Sequence, residues 1–264
     1  MDLGLTNKHA LVTGSTAGIG LALARGLAAE GASVVVVGRT KATVDGALKR
    51  IREAVPAAKL TGIVANCAGE AGAQAVFAQV PELDIVVNNL GIYGRKPAFE
   101  ITDDEWRHFF EVNVMSGIRF ARHYAPGMAR RGWGRVVFVS SESALNIPKE
   151  MIHYGMSKTA QLAIMRGLAM ELAGTGVTVN ALLPGPTNTE NTDRLRAERA
   201  RAAGISVAEI EAGFFRDFRP TSLIKRFTSA EEVANLGVYL CSEAASGTSG
   251  AAMRVDGGVV NQIM

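Results

Sequence analysis

Cysteine is scarce in this chain: Cys67 and Cys241 are the only two in 264 residues. They form neither a CxxC pair nor a metal-ligand set, which excludes a disulfide scaffold and a thiolate zinc module. Both read as small buried apolar residues of a reducing compartment. No uninterrupted apolar run reaches the roughly eighteen residues of a membrane span. The stretch Met1-Asp-Leu-Gly-Leu-Thr-Asn-Lys8 lacks a signal-type apolar core, so the expected location is cytoplasmic.

Long runs of one charge sign are also missing. Lys plus Arg number 28 and Asp plus Glu 25, a formal charge of +3. The two signs are interspersed, which argues against a nucleic-acid partner. No Pro/Gly/Ser-rich linker, internal repeat or low-complexity segment divides the chain. With 48% hydrophobic residues, residues 1–264 are expected to form one α/β domain with its own core.

What is present is a rhythm of short apolar runs and longer helical segments. The runs are His9–Thr13, Ser33–Val37, Lys59–Val64, Asp84–Asn88, Arg135–Val139, Val177–Leu183 and Ala251–Val255. Most are apolar on consecutive positions, as in parallel strands covered on both faces. Helices are expected between them, Ile19–Glu30 and His153–Ala173 among them. The pattern predicts a Rossmann fold: a doubly wound parallel sheet of about seven strands, helices on both faces. One stretch, 187–228, has no strand pattern; it holds a solvated helix over 192–201 and then Phe214, Phe215 and Phe218. An insertion of that length is expected to be a substrate lid, the plainer alternatives being a surface helix or an oligomer contact.

Between the first strand and first helix lies Thr13-Gly-Ser-Thr-Ala-Gly-Ile-Gly20. Gly14, Gly18 and Gly20 would let backbone N–H groups approach a pyrophosphate at the helix N-terminus, with Ser15, Thr16 and Ile19 in the same turn. The spacing is GxxxGxG rather than GxGxxG, and alone it is also compatible with a plain tight turn. The second strand ends Val37-Gly-Arg-Thr40. No carboxylate stands there to repel a ribose 2′-phosphate, and Arg39, aided by Thr40 and Ser15, suits it, which favours NADP(H) over NAD(H). The alternative is that Arg39 is an ordinary solvated residue.

Tyr154 and Lys158 stand at i and i+4, on one helix face. Ser141 precedes Tyr154 by thirteen residues; that spacing favours it over Ser140 as a functional hydroxyl. An acid near a carbonyl receiving a hydride must exchange protons near neutrality, whereas a free phenol titrates near 10. Bringing it down requires about 3–4 kcal/mol of favourable interaction with the phenolate, at 1.36 kcal/mol per tenfold in acidity. Lys158 and an oxidised nicotinamide are the expected sources. His153, adjacent to Tyr154, should point away from it by about 100°. Glu142 is open to three readings: facing substrate, pairing with a cation, or facing solvent.

These motifs in order, with Asn88-Asn-Leu-Gly91, Asn113 and Pro184-Gly185, resemble the short-chain dehydrogenase/reductase family over nearly the whole length, in general pattern the 3-oxoacyl-carrier-protein reductases. The resemblance implies Tyr154 as proton donor, Lys158 on the nicotinamide ribose, Ser141 on the substrate oxygen, and the Asn113 carbonyl holding a water that links Lys158 to solvent. It implies a carboxamide turn at Pro184, Gly185 and Thr189, with Thr187 as rival. Asn89 and Gly91 fall near the adenosine ribose, and Asn66 near adenine. It also implies a homotetramer or dimer through helices near 103–130 and 151–175. Leu90 and Asn66 depart from the usual small and acidic residues. Ile92, Tyr93, Leu145, Ile147, Met151 and the lid Phe residues suggest an apolar pocket for a medium-sized, weakly charged small-molecule ketone or alcohol. The expectation is an NADP(H)-dependent oxidoreductase; a cofactor-binding sensor without turnover, or a lyase or epimerase, would call for an altered Ser–Tyr–Lys set.

Overall fold

The computed structural model describes residues 2–263. Seven parallel strands form one sheet in the order β3-β2-β1-β4-β5-β6-β7. They are β1 His9–Val12, β2 Ser33–Gly38, β3 Lys59–Val64, β4 Ile85–Asn88, β5 Gly134–Val139, β6 Val177–Pro184 and β7 Ala252–Val255. The helices are α1 Gly18–Ala29, α2 Lys41–Ala54, α3 Glu70–Gln79, α4 Asp103–Phe110, α5 Ser116–Arg130, α6 Ile152–Glu171, α7 Glu190–Ala203, α8 Val207–Asp217 and α9 Ala230–Leu240. Each expected strand lies within a residue or two of its observed bounds.

Consecutive apolar residues are buried because helices cover both faces. In β1, Ala10 and Val12 join the core under α1 and α9, while Leu11 joins the core under α3, α5 and α6. In β2, Val34 and Val36 face the first layer and Val35 and Val37 the second. At roughly 1.5–3 kcal/mol per fully buried large aliphatic side chain, these two layers are the main source of stability.

The chain runs outward from β1 through β2 to β3, then returns to place β4 on the other side of β1. This reversal opens a crevice beyond the carboxyl ends of β1 and β4, where open α/β sheets take their ligands. The glycine turn, the Asn88–Gly91 segment, Ser141 and Pro184-Gly185 all follow strands that end at this edge. Residues 187–228 fold as a helical hairpin, α7 and α8, rather than one helix. Its base is closed by a parallel bridge between Thr187 and Thr228. Capping boxes start both helices, Thr189 with Thr192 and Ser206 with Glu209.

Candidate active site

The glycine turn is built for close approach. A Cβ on Gly20 would lie 2.3 Å from the Gly14 carbonyl oxygen and 2.4 Å from Asn89 Nδ2. Gly18 has φ +53°, a left-handed conformation that favours glycine. Asn89 braces the turn, donating from Nδ2 to the carbonyls of Thr13 at 2.9 Å and Gly14 at 3.2 Å. The N-cap of α1 is Ala17, which brings no capping side chain, so the first-turn N–H groups face the crevice. One of them already meets an anion: Gly18 N–H donates to Glu190 Oε2 at 3.0 Å. Glu190, in the first turn of α7, also pairs with Arg50 at 2.6 Å. The hairpin therefore rests its acidic end on the turn, a contact between residues 172 positions apart that no motif announces.

At the end of β2, Arg39 is exposed, with no hydrogen-bond or salt-bridge partner among the described residues. Thr40 caps α2, accepting from Thr43 N–H at 3.3 Å. Ser15 departs from expectation. It is fully buried and its Oγ accepts the Val37 N–H at 2.9 Å, so its side chain ties the turn to β2 and is not presented to a 2′-phosphate. Thr187 is likewise committed, donating to the Gly185 carbonyl at 2.9 Å and sharing a hydrogen bond with Thr228 at 3.0 Å. Thr189 caps α7 and touches the glycine turn: a Cβ on Gly18 would lie 3.1 Å from its Cγ2. Asn66 is exposed and shapes its own turn, accepting from Ala68 N–H at 3.4 Å. Thr16 and Ile19 sit in the turn, partly buried. A close-approach cradle, a helix start whose N-cap residue brings no capping side chain and whose first N–H already draws a carboxylate, and an arginine without a partner among the described residues at the second strand's end together fit a phosphorylated dinucleotide.

Beside this crevice opens a cavity of about 700 Å³, walled by Ser141, Tyr154 and the hairpin. Ser141 and Tyr154 both line it, and Ser141 Oγ accepts from the Ser143 N–H at 3.1 Å. Ser140 points elsewhere, donating to the Lys158 carbonyl at 2.8 Å. Lys158 lies buried beneath, its Nζ donating to the Val139 carbonyl at 2.9 Å and to Gln161 Oε1 at 3.4 Å. That Nζ is 5.7 Å from the Tyr154 ring centre. Burial brings the ammonium down to about 7.

The phenol behaves opposite to the sequence expectation. Burial pushes Tyr154 up to about 12; the Ser141 hydroxyl opposes this, Glu142 and Tyr93 add to it, and Arg219 opposes it more weakly. Among the protein's own cations Arg219 favours the phenolate, whereas burial has itself made Lys158 easy to deprotonate.

Asn113 sits in a π-helical turn, Glu111–Met115, between α4 and α5; such turns often mark functional sites. Its side chain clamps Ile92, accepting from that N–H at 2.7 Å and donating to the carbonyl at 2.9 Å. Its backbone carbonyl accepts from Gln161 Nε2 at 2.5 Å. The chain Lys158–Gln161–Asn113 is therefore made of protein groups, where the resemblance implied a water; the carbonyl's second lone pair is still open to one. Gly91 is fitted beside it: a Cβ there would lie 3.3 Å from Lys158 Nζ. At the carboxamide turn, Gly185 packs directly on Asp256, whose Cα a Cβ would meet at 2.6 Å.

Glu142 pairs with a cation. Its Oε1 accepts from Arg219 Nε at 2.9 Å and Nη2 at 2.8 Å, joining the catalytic-loop edge to the segment after α8. Burial raises this carboxyl and Arg219 pulls it down. His153 turns away, buried against Phe109 at 4.1 Å between ring centres, and burial lowers its pKa. Tyr93, Met151, Phe214 and Phe218 line the cavity, whereas Ile92, Leu145, Ile147 and Phe215 do not. The exposed lining is mostly apolar, as expected, but five arginines also stand in the wall.

Fold and site together define a nucleotide-dependent oxidoreductase. The short chain dehydrogenase model matches residues 8–200, and the chain belongs to that family, whose members act on CH–OH groups. It is 43% identical over 263 residues, with both chains fully covered, to the uncharacterized oxidoreductase YvaG of Bacillus subtilis. It is 33% identical over 262 residues to D-beta-hydroxybutyrate dehydrogenase of Cupriavidus necator, covering 98% of this chain and all of that one. L-Sorbose reductase from Gluconobacter frateurii, solved with NADPH and L-sorbose, superposes with a TM-score of 0.92 at 32% identity, each chain fully covered. Among the described residues no helix is long and apolar enough to cross a membrane.

Proposed function

We propose that this chain is an NADP(H)-dependent oxidoreductase interconverting a ketone and a secondary alcohol, with Tyr154 as acid and base. The observation that carries the reading is that Ser141 and Tyr154 line the same cavity wall, with Lys158 buried one helical turn from Tyr154. The turn from Gly14 to Gly20 would hold the pyrophosphate. Asn66, Asn89 and Gly91 lie along the adenosine side, and Pro184, Gly185 and Thr189 along the nicotinamide side. Arg39 would take the 2′-phosphate by charge-assisted hydrogen bonds; the NADPH-bound L-sorbose reductase supports that preference.

When bound, the reduced nicotinamide supplies the hydride. Ser141 holds the carbonyl oxygen and stabilises the charge that develops on it. Tyr154 gives that oxygen its proton; burial keeps the phenol protonated beforehand. Lys158 would hold the ribose hydroxyls, its ammonium positioned by the Val139 carbonyl and Gln161 Oε1. The helical hairpin of 187–228 acts as a lid, excluding water.

The test is NADPH oxidation followed by absorbance across a panel of neutral and acidic ketones. Turnover of at least one ketone with NADPH is expected. Tight NADPH binding with no turnover of any panel member would contradict the proposal and favour a sensor.

A further inference from the structure

The cavity wall holds more positive charge than its own anions use. Arg219 is taken by Glu142. Arg216 forms a two-point pair with Asp217, both contacts at 2.7 Å. Arg196 is held by Asp193 and by Glu211 at 3.2 Å, and stacks on Phe227 at 4.2 Å. Glu209 is spent on the cap of α8. Two wall arginines remain. Arg199, on α7, has no ion pair or hydrogen bond among the described residues. Arg95, after β4, reaches only Glu150 at 3.9 Å, with no hydrogen bond, and lies flat over Phe218 at 4.7 Å. A guanidinium stacked by its face keeps its N–H edge free. The two arginines feel each other: burial lowers the Arg95 pKa, repulsion from Arg199 adds to it, Glu150 opposes this in part, and Arg219 adds more weakly.

We propose that Arg95 and Arg199 form an anion subsite, so that the substrate carries a carboxylate or phosphate at one end and its carbonyl or carbinol at Ser141 and Tyr154. This rests on the oxidoreductase reading of the same cavity and names the substrate class it left open. Guanidinium forks match both anions in two-point geometry. An anion seated between them would relieve the repulsion that the protein's own carboxylates leave uncompensated. At about 700 Å³ the cavity suits a small or medium oxo acid rather than a carrier-bound chain alone. The two cations come from opposite walls, the β4 side and the hairpin. An anionic substrate would therefore draw the hairpin toward the rest of the site, whereas a neutral one would not.

The test pairs each anion with a neutral counterpart: levulinate with methyl levulinate, and dihydroxyacetone phosphate with dihydroxyacetone. Calorimetric titration into the NADP⁺-saturated enzyme reads binding without turnover, and steady-state kcat/KM with NADPH reads the reaction. The expected result is at least a tenfold preference for one anion over its neutral counterpart, lost in Arg95→Ala/Arg199→Ala. Preference for levulinate assigns a carboxylate, and preference for the phosphate a phosphorylated ketone. Equal binding of both members of each pair, or a preference that survives in the double variant, overturns the subsite. If neutral ketones are reduced well while no anion is preferred, the subsite fails and the oxidoreductase reading stands. If the anion binds through these arginines but nothing is reduced, the subsite stands and the reaction assignment fails.

Discussion

Gln161 and Asn113 are joined through a side-chain amide and a backbone carbonyl, 2.5 Å apart, and the same amide's oxygen faces Lys158 Nζ at 3.4 Å. One glutamine thus orients the lysine and holds the π-helical turn against α6. Gln161→Leu removes both contacts with little change in volume. Losing one hydrogen bond to a charged donor costs about 1.5–3 kcal/mol. The variant is expected to fold and to lose roughly tenfold or more in kcat, a smaller loss than in Lys158→Met. Steady-state kinetics on the two variants checks it, and unchanged kcat in Gln161→Leu would remove the glutamine from the groups that position Lys158.

Arg39 stands exposed and unpartnered at the end of β2, so its removal should be read by the cofactor alone. Arg39→Ala is expected to raise the NADPH dissociation constant by about tenfold, the low end for a charge-assisted bond at an exposed site. NADH, lacking the 2′-phosphate, should bind as before. Fluorescence titration of both cofactors decides it; equal weakening of the two would undo the NADP(H) preference.

Lys158 titrates near 7 in the folded, cofactor-free protein against an ordinary value of 10.5. Between those values the unfolded chain holds a proton that the folded chain has released. The unfolded state binds more protons there, so stability rises with pH. The two buried cysteines act oppositely only above their ordinary value of 9.0, and Tyr154 only above 10.0. Glu142, raised by burial, also acts oppositely above its ordinary value of 4.5, so between about 7 and 9 the Lys158 contribution is read as the difference between the wild type and Lys158→Met. Unfolding free energy from urea titrations is expected to rise there by up to about 1.4 kcal/mol per pH unit. Lys158→Met should flatten the slope; an identical slope in the variant would place the proton elsewhere.

The sheet was legible because its signal is local. In β2, Val34 to Val37 are four consecutive apolar residues, and only a two-sided cover buries them all. Ser141, Tyr154 and Lys158 were readable because two lie one helical turn apart and the third at a fixed remove in the preceding loop. What the sequence concealed depends on which distant faces meet. Glu142 and Arg219 are 77 positions apart, and Gly18 and Glu190 are 172. Gln161 looked like any polar helix residue until α6 was set against the π-helical turn. Ser15 looked available because its burial under β2 is a tertiary fact. The rise of the Tyr154 pKa was hidden for the same reason, since desolvation is set by packing and not by the neighbours in the motif. Four of the five cavity arginines are scattered through a segment whose folding as a hairpin no apolar rhythm foretold, and the fifth, Arg95, lies far off in the chain, after β4.

The measurement closest to the centre of this account is turnover by Tyr154→Phe, which removes one oxygen from the site and leaves the ring in place. With NADPH and the best ketone of the panel, kcat should fall by a factor of about 10² to 10⁴, the span of a lost general acid. The NADPH dissociation constant should stay within about twofold, since this account gives the phenol oxygen to the carbonyl and the cofactor grip to other groups. A Tyr154→Phe enzyme that turns over as fast as the wild type would contradict the assignment of Tyr154 as the acid and base.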